Sequence, residues 1–365
     1  MADQPEIIRL AYPAVAEDAL SDIAEILRTG RLTKGEFRKR FEVELARVLQ
    51  VKHAVTFNSG TSALLASLSA SGVGPGDHVA VPDYGFYATA DAVMLAGATP
   101  VFVDVDDDFN LSPDALARID EPIKAVVVVH QFGLPAALKK IKDRASNVDT
   151  LVIEDSACAI GTTVAGQPLA CDSPVAIVSF HPRKIVTTGE GGALLSNDED
   201  IAAQAVRFGA HSGELDGPSM NLRLAETACA MGLSQLRSLD ERLSERRRIH
   251  ELYRQRLSDV PEIRLPKIAE DVAWNVQTLA VVLDERFDAA KVVARMATAR
   301  IECNRPAFSL SAMLFYREHV PTPAERVANS RKLARHTIAL PCHEQLTEAQ
   351  VDRVCRELLH VLGIA

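Results

Sequence analysis

Three short stretches of this chain combine residue types that could perform covalent chemistry on a carbonyl. The first is Asn58-Ser59-Gly60-Thr61-Ser62-Ala63-Leu64, where a strand pattern stops, a glycine permits a tight turn and a helix pattern starts. The N–H groups of Gly60, Thr61 and Ser62 would face outward at the positive end of that helix, which suits a phosphate. Thr61 and Ser62 could add hydroxyl donors, although a hydroxyl residue at this place is also an ordinary helix cap. The second stretch is Glu154-Asp155-Ser156-Ala157, at the carboxyl end of an apolar strand pattern, the edge where open α/β sheets bind ligands. A carboxylate there could accept a hydrogen bond from a protonated ring nitrogen, or could simply cap a loop. The third is Ser179-Phe180-His181-Pro182-Arg183-Lys184, followed by Thr187-Thr188-Gly189-Glu190-Gly191-Gly192. A lysine directly after a core strand and inside a glycine-rich turn is not where a solvating lysine usually sits. Its amine could form a Schiff base, and the glycines let the backbone pass close to a ligand. Each signal is weak alone; their order along the chain gives them force.

The elements that must hold these residues follow from the apolar patterning. Strands are expected at His53–Phe57, Val79–Pro82, Thr99–Asp104, Ala125–Val129, Leu151–Glu154, Val175–Phe180 and Ala193–Ser196, with helices in most of the intervals. Ser112-Pro113 reads as a cap followed by proline at the first helical position. Such alternation implies a mainly parallel sheet covered by helices, hence an α/β fold. Helices are expected near Glu17–Arg28 and Glu36–Leu49. Beyond residue 200 the character changes. Leu224 to about Leu257 reads as helical, with the Arg-rich stretch Glu241–Arg248 on a mostly solvated face, and Val276–Leu283 reads as a lone strand. Asp288–Arg300, Glu325–Arg335 and Thr347–Leu362 read as helices of a smaller α+β unit. The expected division is 1–240 for the large unit and 241–365 for the small one.

Composition narrows the function classes. The 365 residues carry 40 Lys+Arg against 49 Asp+Glu, a formal net charge of -9, which argues against a nucleic-acid partner. No run has the apolar length of a membrane span, and the first residues lack the basic-then-apolar order of a secretory signal, so a cytoplasmic enzyme is expected. The six cysteines are scattered without a C-x-x-C pair, which favours reduced thiols over a disulfide framework or a zinc site. No G-x-G-x-x-G follows the first strand, which disfavours a dinucleotide-binding oxidoreductase.

Taken in order, these motifs resemble the DegT-like sugar aminotransferase family of enzymes that use pyridoxal 5'-phosphate (PLP). The resemblance runs from about residue 6 to the C-terminus. It is carried by Ser59-Gly60-Thr61-x-Ala63-Leu64, Gly97-Ala98-x-Pro100-Val101-Phe102-Val103-Asp104, Glu154-Asp155-x-Ala157, Ser179-Phe180-x-Pro182-x-Lys184, Thr188-Gly189-Glu190-Gly191-Gly192, Asn221-x-Arg223-Leu224-x-Glu226 and Leu340-Pro341-x-His343. It implies the fold type I architecture of aspartate aminotransferase, with a mostly parallel seven-stranded sheet and a smaller C-terminal α+β domain. It further implies that Lys184 is the Schiff-base lysine and proton shuttle, and that Asp155 keeps the pyridine nitrogen protonated. Gly60, Thr61, Ser62 and Ser179 would hold the phosphate, and Phe86 would stack on the ring. Asn221 would reach the phosphate of a neighbouring subunit, making a homodimer with shared active sites. Arg223 would contact the carboxylate of the amino donor.

Two departures stand out. Cys158, a weak hydrogen-bond donor, occupies the place where the family usually has Gln or His beside the cofactor's phenolic oxygen. The stretch Asn304–Tyr316 lacks the family's common His-Tyr-Pro run, in a region that shapes the acceptor site of relatives. The implied reaction alternates PLP with its amine form, PMP. Glutamate or glutamine gives up an amine, and a keto sugar, commonly carried on a nucleoside diphosphate, receives it. A non-sugar keto acceptor such as a cyclitol and a catalytically silent PLP-binding protein are the alternatives. A PMP-dependent sugar dehydratase is disfavoured because those enzymes carry His at the place of Lys184.

Overall fold

The structure, a computed structural model, describes residues 6–13, 15–146, 150–211 and 219–364. Seven strands build the main sheet: β1 (His53–Phe57), β2 (His78–Pro82), β3 (Thr99–Val103), β4 (Ala125–Val129), β5 (Leu151–Asp155), β6 (Val175–Ser179) and β7 (Gly192–Ser196). Their order across the sheet is β3-β2-β4-β5-β6-β7-β1. All neighbours are parallel except β7, which runs antiparallel to both β6 and β1. The α/β sheet expected from the alternating patterns is therefore present, and the strand limits agree to within about a residue.

Both faces of the sheet are buried, which explains why its strands are continuously apolar. Alternate residues feed different cores because side chains point to opposite faces. Ile177 and Leu194 pack with helices α3 (Gly60–Ala70), α4 (Ala88–Leu95) and α7 (Glu199–Ala210). Ala176, Val178 and Leu195 pack with α2 (Glu36–Leu49), α8 (Glu226–Arg237) and α9 (Leu239–Leu257). Farther along the sheet, Val126, Val128 and Val152 meet the short α5 (Pro113–Leu116) and α6 (Leu138–Ser146). Ser112 caps α5 as its sequence suggested, accepting the Ala115 N–H. Helix α1 (Glu17–Thr29) is pinned to α8 by Asp18, which accepts from Ser234 and Arg237.

The later part of the chain corrects three expectations. The helical run before Leu257 is two helices, because α8 ends and α9 begins at Ser238. The Arg-rich stretch is not simply solvated: Arg242 and Arg246 are buried and share Glu344. The strand near residue 280 is shorter and is not alone. It spans Leu279–Leu283 (β9) between β8 (Ile263–Arg264) and β10 (Thr337–Leu340), all antiparallel. Helices α10 (Ala289–Thr298), α12 (Ala328–His336) and α13 (Glu348–Leu362) pack around this small sheet, and a short α11 (Leu314–His319) precedes α12. None of the helices among the described residues is long and apolar enough to cross a membrane.

Glu226 ties the first half of the chain to α8. It is 1% exposed, and its carboxylate accepts the N–H groups of Gly35, Phe37 and Arg38 at 2.7, 2.9 and 3.3 Å. It thus caps α2 from a distant segment, supplying the negative charge that a helix N-terminus favours. A Cβ on Gly35 would lie 2.6 Å from this carboxylate, so a larger residue there would push it off the helix end. Glu226→Ala should cost about 2 kcal/mol of unfolding free energy, since three donors lose a charged acceptor. Urea denaturation should show an earlier midpoint with unchanged slope.

Candidate active site

The parallel strands deliver their carboxyl ends to one edge of the sheet, and β1 ends at the same edge. Asp155 closes β5, Ser179 closes β6, and the turn after β1 opens α3. Between them lies a cavity of about 330 Å³. Gly60, Thr61, Phe86, Asp155, Cys158, Ser179 and Lys184 all line it. Stretches far apart in sequence therefore converge on one space.

The α3 end has the donors an anion needs. Of its first N–H groups, that of Ser62 is taken by the Ser59 hydroxyl at 3.0 Å and that of Ala63 by the Ser59 carbonyl at 3.1 Å. The N–H groups of Gly60 and Thr61 remain at the cavity wall as the open end of the helix dipole. A Cβ on Gly60 would come within 2.9 Å of the Ser179 Cβ, so glycine keeps this corner open beside the serine hydroxyl. Ser62 is placed differently: its hydroxyl is engaged by Asn58 at 2.7 Å and Ser59 at 2.8 Å, off the cavity wall.

Asp155 is buried, with one carboxylate oxygen accepting the Ala157 N–H at 3.0 Å and the other facing the Thr89 hydroxyl at 3.4 Å. Burial pushes its pKa up; the Ala157 N–H and the charge of Lys184 only partly offset this. A carboxylate held in this way gains by pairing with a cation inside the cavity. The ring nitrogen of a pyridoxal cofactor is such a group. Next to Asp155, Glu154 turns to the other side of β5. There it accepts from His130 at 3.1 Å and from Ser173, and pairs with Lys142 at 3.2 Å. Burial works against the Glu154 charge, and these partners overcome it, so its pKa is lowered.

Lys184 sits in the loop between β6 and β7, and its amine donates to the Cys158 sulfur at 2.9 Å. The departure from the family pattern thus stands beside the Lys184 amine. Both loops are braced by Asn275 and Gln277, just before the strand that starts at Leu279 rather than at Val276. Asn275 donates to the carbonyls of Cys158 at 2.9 Å and Ile160 at 2.8 Å. Gln277 donates to the Arg183 carbonyl at 2.7 Å and accepts the Ile185 N–H at 3.0 Å, gripping the chain on both sides of Lys184. Nothing in the residues 274–277 taken alone marks them, because amides gain this role only through the fold. Asn304 and Pro306, from the divergent stretch, also line the cavity. Phe308 and Ser309 pair with Gly85 and Tyr84, next to Phe86.

Asn221 and Arg223 lie elsewhere. Asn221 is exposed and accepts from Arg223 at 2.8 Å, while Arg223 also reaches the Ala210 carbonyl. Neither lines this cavity, and Arg223 borders a separate pocket with Lys34 and Arg38.

The model of the DegT/DnrJ/EryC1/StrS aminotransferase family matches residues 13–359. The chain belongs to this family. It is a PLP-dependent sugar aminotransferase by descent, and the donor-lined corner, buried carboxylate and lysine fit that cofactor. Among its relatives is a GDP-perosamine synthase of Caulobacter vibrioides, 33% identical over 99% of this chain and 100% of the relative. Another is a dTDP-4-dehydro-2,3,6-trideoxy-D-glucose 4-aminotransferase of Saccharopolyspora spinosa, 32% identical over 96% of each chain. Among solved structures, Helicobacter pylori PseC, an aminotransferase involved in the biosynthesis of pseudoaminic acid, superposes with a TM-score of 0.92 at 25% identity, covering 98% of this chain and 100% of that one.

The buried charge of Asp155 has a stability consequence. A raised carboxyl pKa in the folded state means that stability present below the ordinary aspartate value of about 3.9 is lost as pH rises through the folded value. Asp155→Asn removes that loss. In cofactor-free protein the variant should melt at or above the wild-type temperature at pH 8, with the difference vanishing towards pH 3.5. Thermal denaturation at several pH values checks this, and a variant less stable at pH 8 than at low pH relative to wild type would contradict it.

Proposed function

We propose that this protein transfers an amino group from glutamate, or glutamine, to a keto sugar carried on a nucleoside diphosphate, in two alternating half-reactions. The observation that carries the reading is one cavity holding the Lys184 amine, the buried Asp155 carboxylate and the open α3 N-terminus together. The names of the relatives support an acceptor attached to a nucleotide. Bound there, PLP supplies an aldehyde that takes up the amine and a ring that accepts the electron pair released at the substrate carbon.

The protein's own residues do the rest. Gly60, Thr61 and Ser179 bind the phosphate with backbone and hydroxyl donors. Asp155 holds a proton on the ring nitrogen by charge. Phe86, which lines the cavity, packs against the ring. Lys184 anchors the cofactor, then carries a proton to and from the substrate carbon as general acid and base. The loop brace from Asn275 and Gln277 fixes where that amine can move. The enzyme works in the cytoplasm on small molecules and needs neither nucleic acid nor membrane.

Purified wild-type protein supplied with PLP should show a visible absorbance band and a borohydride-trapped adduct on Lys184. Glutamate should yield 2-oxoglutarate. Lys184→Ala should lose band and adduct, and turnover should fall by about a thousandfold or more. Wild-type protein with neither band nor adduct would refute the reading.

The exposed Asn221, remote from its own cavity, supports a homodimer in which each subunit completes the other's site, with Arg223 beside it for the donor carboxylate. Asn221→Ala and Lys184→Ala proteins, each nearly inactive, should regain activity when unfolded, mixed and refolded, because hybrid dimers hold one intact site. Activity no higher than the sum of the two separate proteins would count against shared sites.

A further inference from the structure

Three cationic side chains line the cavity among the described residues: Lys184, Arg246 and Arg183. Lys184 is claimed by the chemistry. Arg246 is 4% exposed and spent on structure: it donates to the carbonyls of Val276 at 3.0 Å and Cys342 at 2.8 Å and lies 3.3 Å from Glu344. Arg183 differs. It is exposed, and its guanidinium makes no hydrogen bond or ion pair with the described residues. Its main chain is nevertheless fixed on both sides. The N–H donates to His181 Nδ1 at 3.2 Å, and the carbonyl accepts from Gln277 at 2.7 Å.

His181, on the same wall, does not compete for an anion. Burial holds its pKa below the ordinary value despite the pull of Glu190, and its Nδ1 is occupied as an acceptor. The carboxylate of Glu190 lies towards His181, 4.0 Å from Nε2. The protein as a whole carries a charge of -9, so an anionic substrate meets a repelling field until it reaches a local cation.

We propose that Arg183 is the anion anchor at the cavity mouth and that it holds the diphosphate bridge of a nucleoside diphosphate sugar. The inference rests on the keto-sugar reading given above and assigns a residue to it. Position selects the ligand group. The carboxylate of an amino donor is bonded to the reacting carbon and must lie deep, beside the Lys184 amine. The diphosphate of a sugar nucleotide is separated from a reacting ring carbon by the sugar itself, which puts it at the mouth. A planar guanidinium with five donors suits two adjacent phosphate groups and is weakly hydrated, so it gives up water readily. An arginine next to the Schiff-base lysine, with its main chain held by the same glutamine, fixes the distance between the anchor and the reacting amine.

The test uses the PLP-loaded full chain and two probes, guanosine diphosphate and uridine diphosphate, titrated by calorimetry. Wild type should bind at least one of them, with affinity falling as salt is added. Arg183→Gln should weaken that binding about tenfold or more and flatten the salt dependence, and Arg183→Lys should keep most of it. The KM for glutamate, measured through 2-oxoglutarate formation, should move by less than about threefold in Arg183→Gln. Equal binding by wild type and Arg183→Gln, or no binding by wild type, overturns the assignment. So does a loss confined to glutamate, which would make the anion a carboxylate. An unchanged cofactor band in Arg183→Gln shows that the variant is folded and loaded. A missing band in wild type would instead strike at the aminotransferase reading itself.

Discussion

A carboxylate out of water at the end of a central strand is the constraint around which this molecule is arranged. Asp155 is buried, and the cavity before it is the open side of its carboxylate. Burial raises the energy of that charge, and the Ala157 N–H, Thr89 and the nearby lysine lower it only in part. The remainder would be available to a cationic ring nitrogen, so part of the cost of burying Asp155 would become affinity and electronic control with a pyridine ring bound, as in the proposed function. Its neighbour Glu154 shows the contrast. One residue earlier on the strand, facing the opposite side, it is fully supplied with partners and serves structure.

Placing an amine opposite that carboxylate requires two loops to hold still. The loop with Cys158 follows β5 and the loop with Lys184 follows β6. The segment Trp274–Gln277 crosses both. Trp274 donates to the Phe132 carbonyl at 3.1 Å, Asn275 serves the first loop and Gln277 the second. Between them Val276 is held at φ 52°, a left-handed conformation that a β-branched side chain resists. Strain of this kind persists only where surrounding contacts over-determine it. Here the Val276 carbonyl is fixed by Arg246, and both amide side chains are bonded at their ends. The backbone is strained because it must turn two amides in useful directions within three residues.

The large sheet could be read from the chain because its strands are buried on both faces and are therefore apolar throughout, as in Ala125–Val129. The turn at Gly60, the carboxylate at 155 and the amine at 184 could be read because each combines a local pattern with a residue type that is rare in that setting. The small unit was less legible. β8 is only two residues long and β10 only four, so neither has a period to detect. The buried Arg242 and Arg246 carry the composition of a solvated helix face, and only their shared carboxylate, Glu344, a hundred residues later, lets them go inside.

The sequence by itself determined the family, the α/β class and the order of the candidate site residues, since periodicity and local motifs are properties of contiguous residues. Tertiary structure alone decided which of those groups share a space. It put the hydroxyl of Ser62 on its own helix turn rather than in the cavity, set the Cys158 sulfur against the Lys184 amine, and left Asn221 facing outward. It also set Asn275 and Gln277 against the loops that carry Cys158 and Lys184, contacts between segments about a hundred residues apart. Such contacts are fixed by packing, and no local pattern of residues encodes them.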